Sequence, residues 1–239
     1  PRANAPTDDV VSGMTTLFIE TATPLCGIAI ERDGVTTSRV LDRDRRHVEV
    51  LMPGIQELLR ESGCAVRDIT RVVVDRGPGL YTGLRVGVAT AVALADSVGA
   101  PLVGVTSLEV VAAGAFAHGV RGSVLVLIDG RRKEVFAQSF DLNDGVVPTT
   151  LPVVRTPDDI VVEYGTSGAP TTFVGDGAEA YASLFSLMSW VTVLPSDDTW
   201  ISAGPSVGRD RPVIPLELLY LREPDAVANF STQIGRAHV

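Results

Sequence analysis

Arg71-Val72-Val73-Val74-Asp75-Arg76-Gly77-Pro78-Gly79-Leu80-Tyr81-Thr82-Gly83-Leu84-Arg85-Val86-Gly87 decides the fold. Its β-branched opening reads as a buried strand. Residues 86–98 behind it form an unbroken helical stretch. The order is strand, tight glycine turn, helix. Gly77 and Gly79 tolerate positive φ and let bare backbone approach a neighbour, while Pro78 stiffens the turn. Thr82 is placed as the helix N-cap, leaving free N–H groups at a positive helix end. Two readings follow. One is an anion site built from Glu20, Thr21, Gly77, Gly79 and Thr82; the other is a plain turn that permits close helix packing. No Gly-Lys-Ser/Thr follows, so this is not a Walker loop. The glycine spacing is not the dinucleotide fingerprint either, and no acidic ribose partner stands about 20 residues on.

Working outward, Thr16-Leu17-Phe18-Ile19-Glu20 predicts a strand, and 26–31 and 35–40 predict two more around an Asp33-Gly34 hairpin turn. Val50, Leu51, Ile55, Leu58 and Leu59 have helical spacing over 47–61, with Pro53 placed near the first turn and Gly63 closing the helix. The stretch 86–95 is apolar almost all round, so it needs cover on several sides. A strand at 101–105 and a helix opening at Thr106-Ser107 come next. Residues 124–140 then repeat the opening pattern of strand, polar turn, strand. Thr156-Pro157 starts a short helix to Tyr164, and 173–177 repeats strand-then-glycine before a helix over 178–188. Residues 196–215, with Gly204-Pro205, Gly208, Pro212 and Pro215, are poor helix material. The echo predicts two related α/β lobes, 14–105 and 106–226.

The chain has 239 residues, 45% hydrophobic and 21% charged, which suits one large domain or two lobes with ample core. Its net charge of −9 argues against a subunit that grips RNA through phosphates, which needs a basic stripe. Arg43-Asp44-Arg45-Arg46 and Arg131-Arg132-Lys133 are short patches, the first broken by an acid. Cys26 and Cys64 have no metal or redox spacing and read as reduced thiols. The apolar stretch 86–95 is too short to cross a bilayer, and a cytoplasmic location is expected. Residues 1–13 read as a leader with the natural start at Met14; 227–239 read as a tail, with 234–239 resembling adapter-derived sequence.

Six motifs in order resemble the TsaB (YeaZ) family: Ile19-Glu20-Thr21-Ala22-Thr23, Arg46-His47-Val48-Glu49-Val50-Leu51-Met52-Pro53, the glycine turn 76–87, Gly104-Val105-Thr106-Ser107-Leu108, Ile128-Asp129-Gly130-Arg131-Arg132-Lys133-Glu134-Val135-Phe136, and Tyr220-Leu221-Arg222-Glu223-Pro224. The resemblance implies an α/β, actin/Hsp70-like fold of two ribonuclease-H-like lobes. It implies a non-catalytic partner of TsaD, the subunit that transfers a threonylcarbamoyl group to the adenosine beside the anticodon of tRNAs reading codons that begin with A. The resemblance also implies TsaE as the third member of a ternary complex, with tRNA met indirectly; separately, the apolar helix face is expected to drive self-association into a homodimer when the partner is absent. No cofactor is expected to be held firmly by this chain alone, with ATP or Mg belonging to the assembled complex. Partner contact is implied for helices 47–62 and 82–98, and is assigned to His47, Leu51, Ile55, Leu58, Thr82, Gly83, Val86, Gly87, Thr90 and Leu94. Gly83 and Gly87, four apart, are expected to let a partner helix approach, so that Gly87→Leu weakens pairing and spares the fold.

The catalytic relative's His-x-x-x-His metal pair appears here as His47 and Leu51, and one imidazole is a poor metal site. No metal site is expected. Leu80-Tyr81 replaces the commoner Ser-Phe, removing a hydroxyl from the turn, and Glu20 stands where many relatives carry Asp. A protease is disfavoured by the absence of His-Glu-x-x-His and Gly-x-Ser-x-Gly. The remaining alternative is a stand-alone nucleotide-binding ATPase resting on Glu20, Thr21, Asp129 and the glycine turn.

Overall fold

The computed structural model describes residues 13–43, 46–195 and 197–222. The leader up to residue 12, the tail 227–239, and Glu223-Pro224 of the last motif lie outside the described residues. The first sheet begins as an antiparallel meander, β1 (Thr15–Glu20), β2 (Cys26–Arg32) and β3 (Val35–Asp42). Asp33 and Gly34 both take positive φ between β2 and β3, the geometry of the expected two-residue turn. β4 (Arg71–Asp75) then pairs parallel to β1, and β5 (Leu102–Val105) parallel to β4, giving the order β3-β2-β1-β4-β5.

The crossovers are α1 (His47–Glu61) and α2 (Tyr81–Val98). Strand alternation decides what they cover. Leu17, Ile19, Val72 and Val74 face the two helices and pack on Leu51, Ile55, Leu58, Leu59, Ala91 and Leu94. Phe18 and Val73 point to the opposite face, into a core shared with the rest of the molecule. Gly63 closes α1 with φ +65, and Cys64 N–H donates to the Leu59 carbonyl at 2.8 Å. Pro53 is not in the first turn: it is the seventh residue of α1. The helix runs on through it, at the expense of one bond to the Glu49 carbonyl, and Glu49 is exposed to water.

α3 (Ser107–Ala117) leads to the second sheet, β6 (Ser123–Arg131), β7 (Glu134–Asp141), β8 (Val147–Pro148), β9 (Val153–Arg155), β10 (Thr171–Val174) and β11 (Val191–Val193). Its order, β11-β10-β6-β7-β8, repeats the first sheet: an antiparallel start, then parallel strands added on the other side of the first strand. α4 (Pro157–Tyr164) covers it, and Phe173 meets Tyr164 and Phe185 edge-on at 5.3 and 5.2 Å. The helix expected over 178–188 is instead two pieces, α5 (Asp176–Ala180) and α6 (Ala182–Phe185). Gly177 lies so close to the backbone of Leu127 and Ile128 that α5 is pinned to β6. The chain leaves helical geometry at Tyr181 and resumes, bringing Phe185 onto Phe173.

Residues 198–209, counted by the sequence reading with the second lobe, return to the first sheet. A 3-10 turn (Asp198–Ala203) and α7 (Gly204–Arg209) lay Ile201 on Gly27, Gly204 on the Phe18 ring and Gly208 on Val73. Both are short, as the glycines and prolines there predict. Residues 216–220 then cross the glycine turn, with Leu219 N–H donating to the Arg76 carbonyl at 2.8 Å and Arg76 Nη1 to the Glu217 carbonyl at 3.2 Å.

The start of α3 is fixed by a reciprocal cap. Thr106 Oγ1 accepts from Glu109 N–H at 3.2 Å, and Glu109 Oε2 accepts from Thr106 N–H at 2.9 Å. Burial would raise the Glu109 carboxyl, yet Arg211 at 2.5 Å and the Thr106 donors hold it below its ordinary value. Thr106→Ala is expected to cost about 1 kcal/mol, lowering the melting temperature by about 2–4 °C in a chain of this size. A calorimetric scan with no change in midpoint would count against the cap.

Candidate functional site

α1 and α2 lie side by side, and the structure separates their inward and outward faces. His47, Leu51, Ile55, Leu58, Gly83, Gly87 and Leu94, all expected at a partner surface, are buried in the first lobe. They serve its own core. The close approach permitted by the two glycines is made to the end of β1. A Cβ on Gly83 would strike the Thr21 carbonyl oxygen, and one on Gly87 the Thr21 hydroxyl. Thr21 Oγ1 donates to the Gly83 carbonyl at 2.8 Å, fastening helix to strand. Gly87→Leu therefore breaks this lobe's packing and does not report on pairing alone.

The outward face is a different set. Val48 is 72% exposed, Met52 36% and Val92 47%, with Thr82, Ala89 and Ala93 exposed around them and Val86 and Thr90 half-buried. Of the ten residues expected at the partner surface, only Thr82, Val86 and Thr90 lie on this side. Val48, Met52, Ala89 and Val92 are exposed there too and were not among the ten. The signal was available: Val48 and Met52 repeat at i, i+4 beside the core stripe of α1, and α2 carries more apolar residues than one buried face uses. Near the start of α2, Arg85 sits over the Tyr81 ring at 4.0 Å, and Tyr81 meets Tyr220 at 5.2 Å.

The glycine turn is closed. Gly77 N–H donates to Asp75 Oδ1 at 2.7 Å, Leu80 N–H to the Ala22 carbonyl at 2.6 Å, and Ser107 Oγ to the Pro78 carbonyl at 2.9 Å. The Gly77–Pro78 peptide is cis. A Cβ on Gly79 would strike the Ala22 carbonyl, and the Leu219 carbonyl lies against Gly77. Thr82 is not the N-cap; Leu80 holds that place, with no side-chain bond, and Thr82 is exposed in the first turn. Glu20 and Thr21 are fully buried beneath the turn. These contacts speak against the phosphate reading: the Gly77 and Leu80 N–H groups are engaged, the backbone of Gly77 and Gly79 is covered, and two carboxyls, Glu20 and Asp75, lie buried beside the turn.

Nothing nearby makes a nucleophile with a base. Burial, then the charges of Glu20 and Asp42, push the Cys26 thiol up to about 12, so it stays protonated and inert. His47 is buried with Nε2 lacking a partner and Leu51 one turn on. His118 Nε2 meets Thr199 Oγ1 at 3.2 Å on the surface. Among the described residues no group of three or more His, Cys, Asp or Glu side chains is placed to hold a metal ion, and no helix is long and apolar enough to cross a membrane.

A family model described as TsaD, tRNA N6-adenosine threonylcarbamoyltransferase, matches residues 40–183. The chain is 36% identical over 123 residues to the tRNA threonylcarbamoyladenosine biosynthesis protein TsaB of Escherichia coli K12, covering 52% of this chain and 53% of that protein. The chain belongs to the TsaB (YeaZ) family. A mycobacterial relative, an uncharacterized protein of Mycobacterium tuberculosis H37Rv, is 34% identical over 215 residues, 89% of this chain and 93% of that one. A Pseudomonas aeruginosa crystal structure, described as similar to peptidase YEAZ, superposes with a TM-score of 0.71 at 24% identity, covering 87% of this TsaB-family chain and all of that one. That likeness speaks for the fold. Its two sheets share one strand order.

Proposed function

We propose that this TsaB-family chain is a non-catalytic subunit that binds TsaD through the outer face of α1 and α2 and supports threonylcarbamoyl transfer to the adenosine beside the anticodon. The observation that carries the reading is the apolar strip of Val48, Met52, Val86, Ala89 and Val92 on two adjacent helices whose inner faces already fill a complete core. Exposed apolar side chains grouped on neighbouring helices mark a candidate binding site for another chain. The non-catalytic role is supported by Leu51 in the place of a second histidine, by the inert Cys26, and by the closed glycine turn.

The finer picture has two ribonuclease-H-like lobes, TsaE as a third subunit, tRNA met indirectly, and self-pairing through the same strip when TsaD is absent. The net charge of −9 suits a scaffold in the cytoplasm better than an RNA grip. Co-expression with TsaD from the same organism, followed by size-exclusion chromatography and a tRNA modification assay, tests the reading. A stable pair is expected, active only with both chains present. Transfer by TsaD alone at the same rate, or the absence of any pair, would overturn it. Titration calorimetry of the isolated chain with ATP and magnesium is expected to show no saturable micromolar binding; such binding would favour the ATPase alternative.

A further inference from the structure

Glu20 and Asp75 end two neighbouring parallel strands. Ile19 is registered with Val74, so the two carboxyls are the next pair along β1 and β4 and leave the sheet on the same face, that of Phe18 and Val73. Both residues are wholly buried. Each has one oxygen satisfied. Glu20 Oε1 accepts from Thr23 N–H at 2.8 Å and Thr23 Oγ1 at 3.0 Å, and Asp75 Oδ1 accepts from Gly77 N–H at 2.7 Å. The other two, Glu20 Oε2 and Asp75 Oδ2, are buried with no donor. The Ser107 hydroxyl beside them donates to the Pro78 carbonyl at 2.9 Å and also lies near Asp75, where it opposes the effect of burial.

Among the described residues, no cation bonds to either carboxyl. From β2 the neighbour is the protonated Cys26 thiol, itself influenced by Asp42 of β3. From α3 it is Glu109, whose charge is engaged by Arg211. Two adjacent buried anions without a counter-charge are not a stable arrangement. A single proton resolves it, since a neutral carboxyl becomes the donor that the facing carboxylate lacks.

We infer that Glu20 and Asp75 hold one proton between Oε2 and Oδ2, and that this proton fastens the glycine turn and the start of α2 to the end of β1, so that rising pH releases them. Burial, reinforced by the charge of Asp75, drives the Glu20 carboxyl well above its ordinary value, which places the proton on Glu20. In the unfolded chain Glu20 loses its proton in the usual carboxylate range. Between that range and the folded value, the folded state holds one proton more. Stability is therefore greatest at the acid end of this interval and falls as pH rises through it.

Urea unfolding of the full chain between about pH 5.5 and 8.5 tests this. Relative to Glu20→Gln, which keeps a donor toward Asp75 but does not titrate, the wild type is expected to lose stability more steeply as pH rises, by up to about tenfold in its folded-to-unfolded ratio per pH unit while the folded pair keeps its proton. Parallel slopes in the two proteins would overturn the inference. A measurement on the wild type alone guards against a variant that does not fold. Infrared spectroscopy with 13C-labelled glutamate is expected to show a protonated glutamic carboxyl band at neutral pH, and its absence would equally overturn the inference. Stabilisation of the wild type at the alkaline end by magnesium or calcium, absent in Glu20→Gln, would place a cation where the proton is assigned and overturn it too.

Discussion

Gly83→Ala is expected to lower folding stability by about 3 kcal/mol, the upper end of what overpacking costs in a close-packed site. A single methyl suffices because the group it meets is a backbone carbonyl, that of Thr21, at the end of the central strand. A side chain could rotate away; a strand end held by Leu80 N–H on the next carbonyl, Ala22, cannot. Relief requires α2 to lift from β1, which parts the Thr21 Oγ1 bond to the Gly83 carbonyl. Gly87→Ala is milder, because its obstacle is the Thr21 hydroxyl, and turning that away forfeits one hydrogen bond worth about 1 kcal/mol. Chemical denaturation of the two variants beside the wild type settles the order. A loss below about 1 kcal/mol at Gly83 would mean the helix seats more loosely than described.

Met52→Glu is expected to weaken pairing with TsaD at least tenfold, and more if Met52 lies near the centre of the contact, where desolvated charge is most costly. The residue is 36% exposed between the cores, so the lobe itself loses little, and the melting temperature is expected to stay within about 2 °C of the wild type. Val48→Glu, at 72% exposure, is expected to act in the same direction with still less effect on folding. Calorimetry with purified TsaD reads the affinity. An unchanged dissociation constant in both variants would move the interface off α1 and α2.

Gly83 and Gly87 lie buried against Thr21, not on an open face, and the reason the sequence did not reveal this is physical. Helical spacing identified α1 with its limits and identified α2 as a helix, and the Asp33-Gly34 pair identified the hairpin. Spacing says which residues share a face. It does not say which face turns inward when both are apolar, as in α2. Gly83 and Gly87 looked like an invitation to a partner because nothing local reveals that Thr21, 62 residues from Gly83, fills the gap. The pairing of Glu20 with Asp75 is hidden for the same reason: it depends on the parallel register of β1 and β4, set by a crossover helix between them. The echo of strand, polar turn and strand was legible because each antiparallel meander is local in sequence; the parallel strands that complete the same order in both sheets were not. The return of residues 198–209 was not, since their burial depends on Phe18 and Val73 far upstream.

That return has a consequence for synthesis. The first sheet is complete once residue 105 has left the ribosome, and its helix-bearing side closes at once with α1 and α2. Part of the Phe18 and Val73 side stays open until Ile201, Gly204 and Gly208 arrive, although α3 residues such as Leu108 join the same core earlier. At about 5–20 residues per second, part of this apolar side stays uncovered on the nascent chain for several seconds after residue 105. Chaperone capture of stalled or truncated chains is therefore expected to rise sharply for stops before residue 198 and to fall once 209 has cleared the exit tunnel.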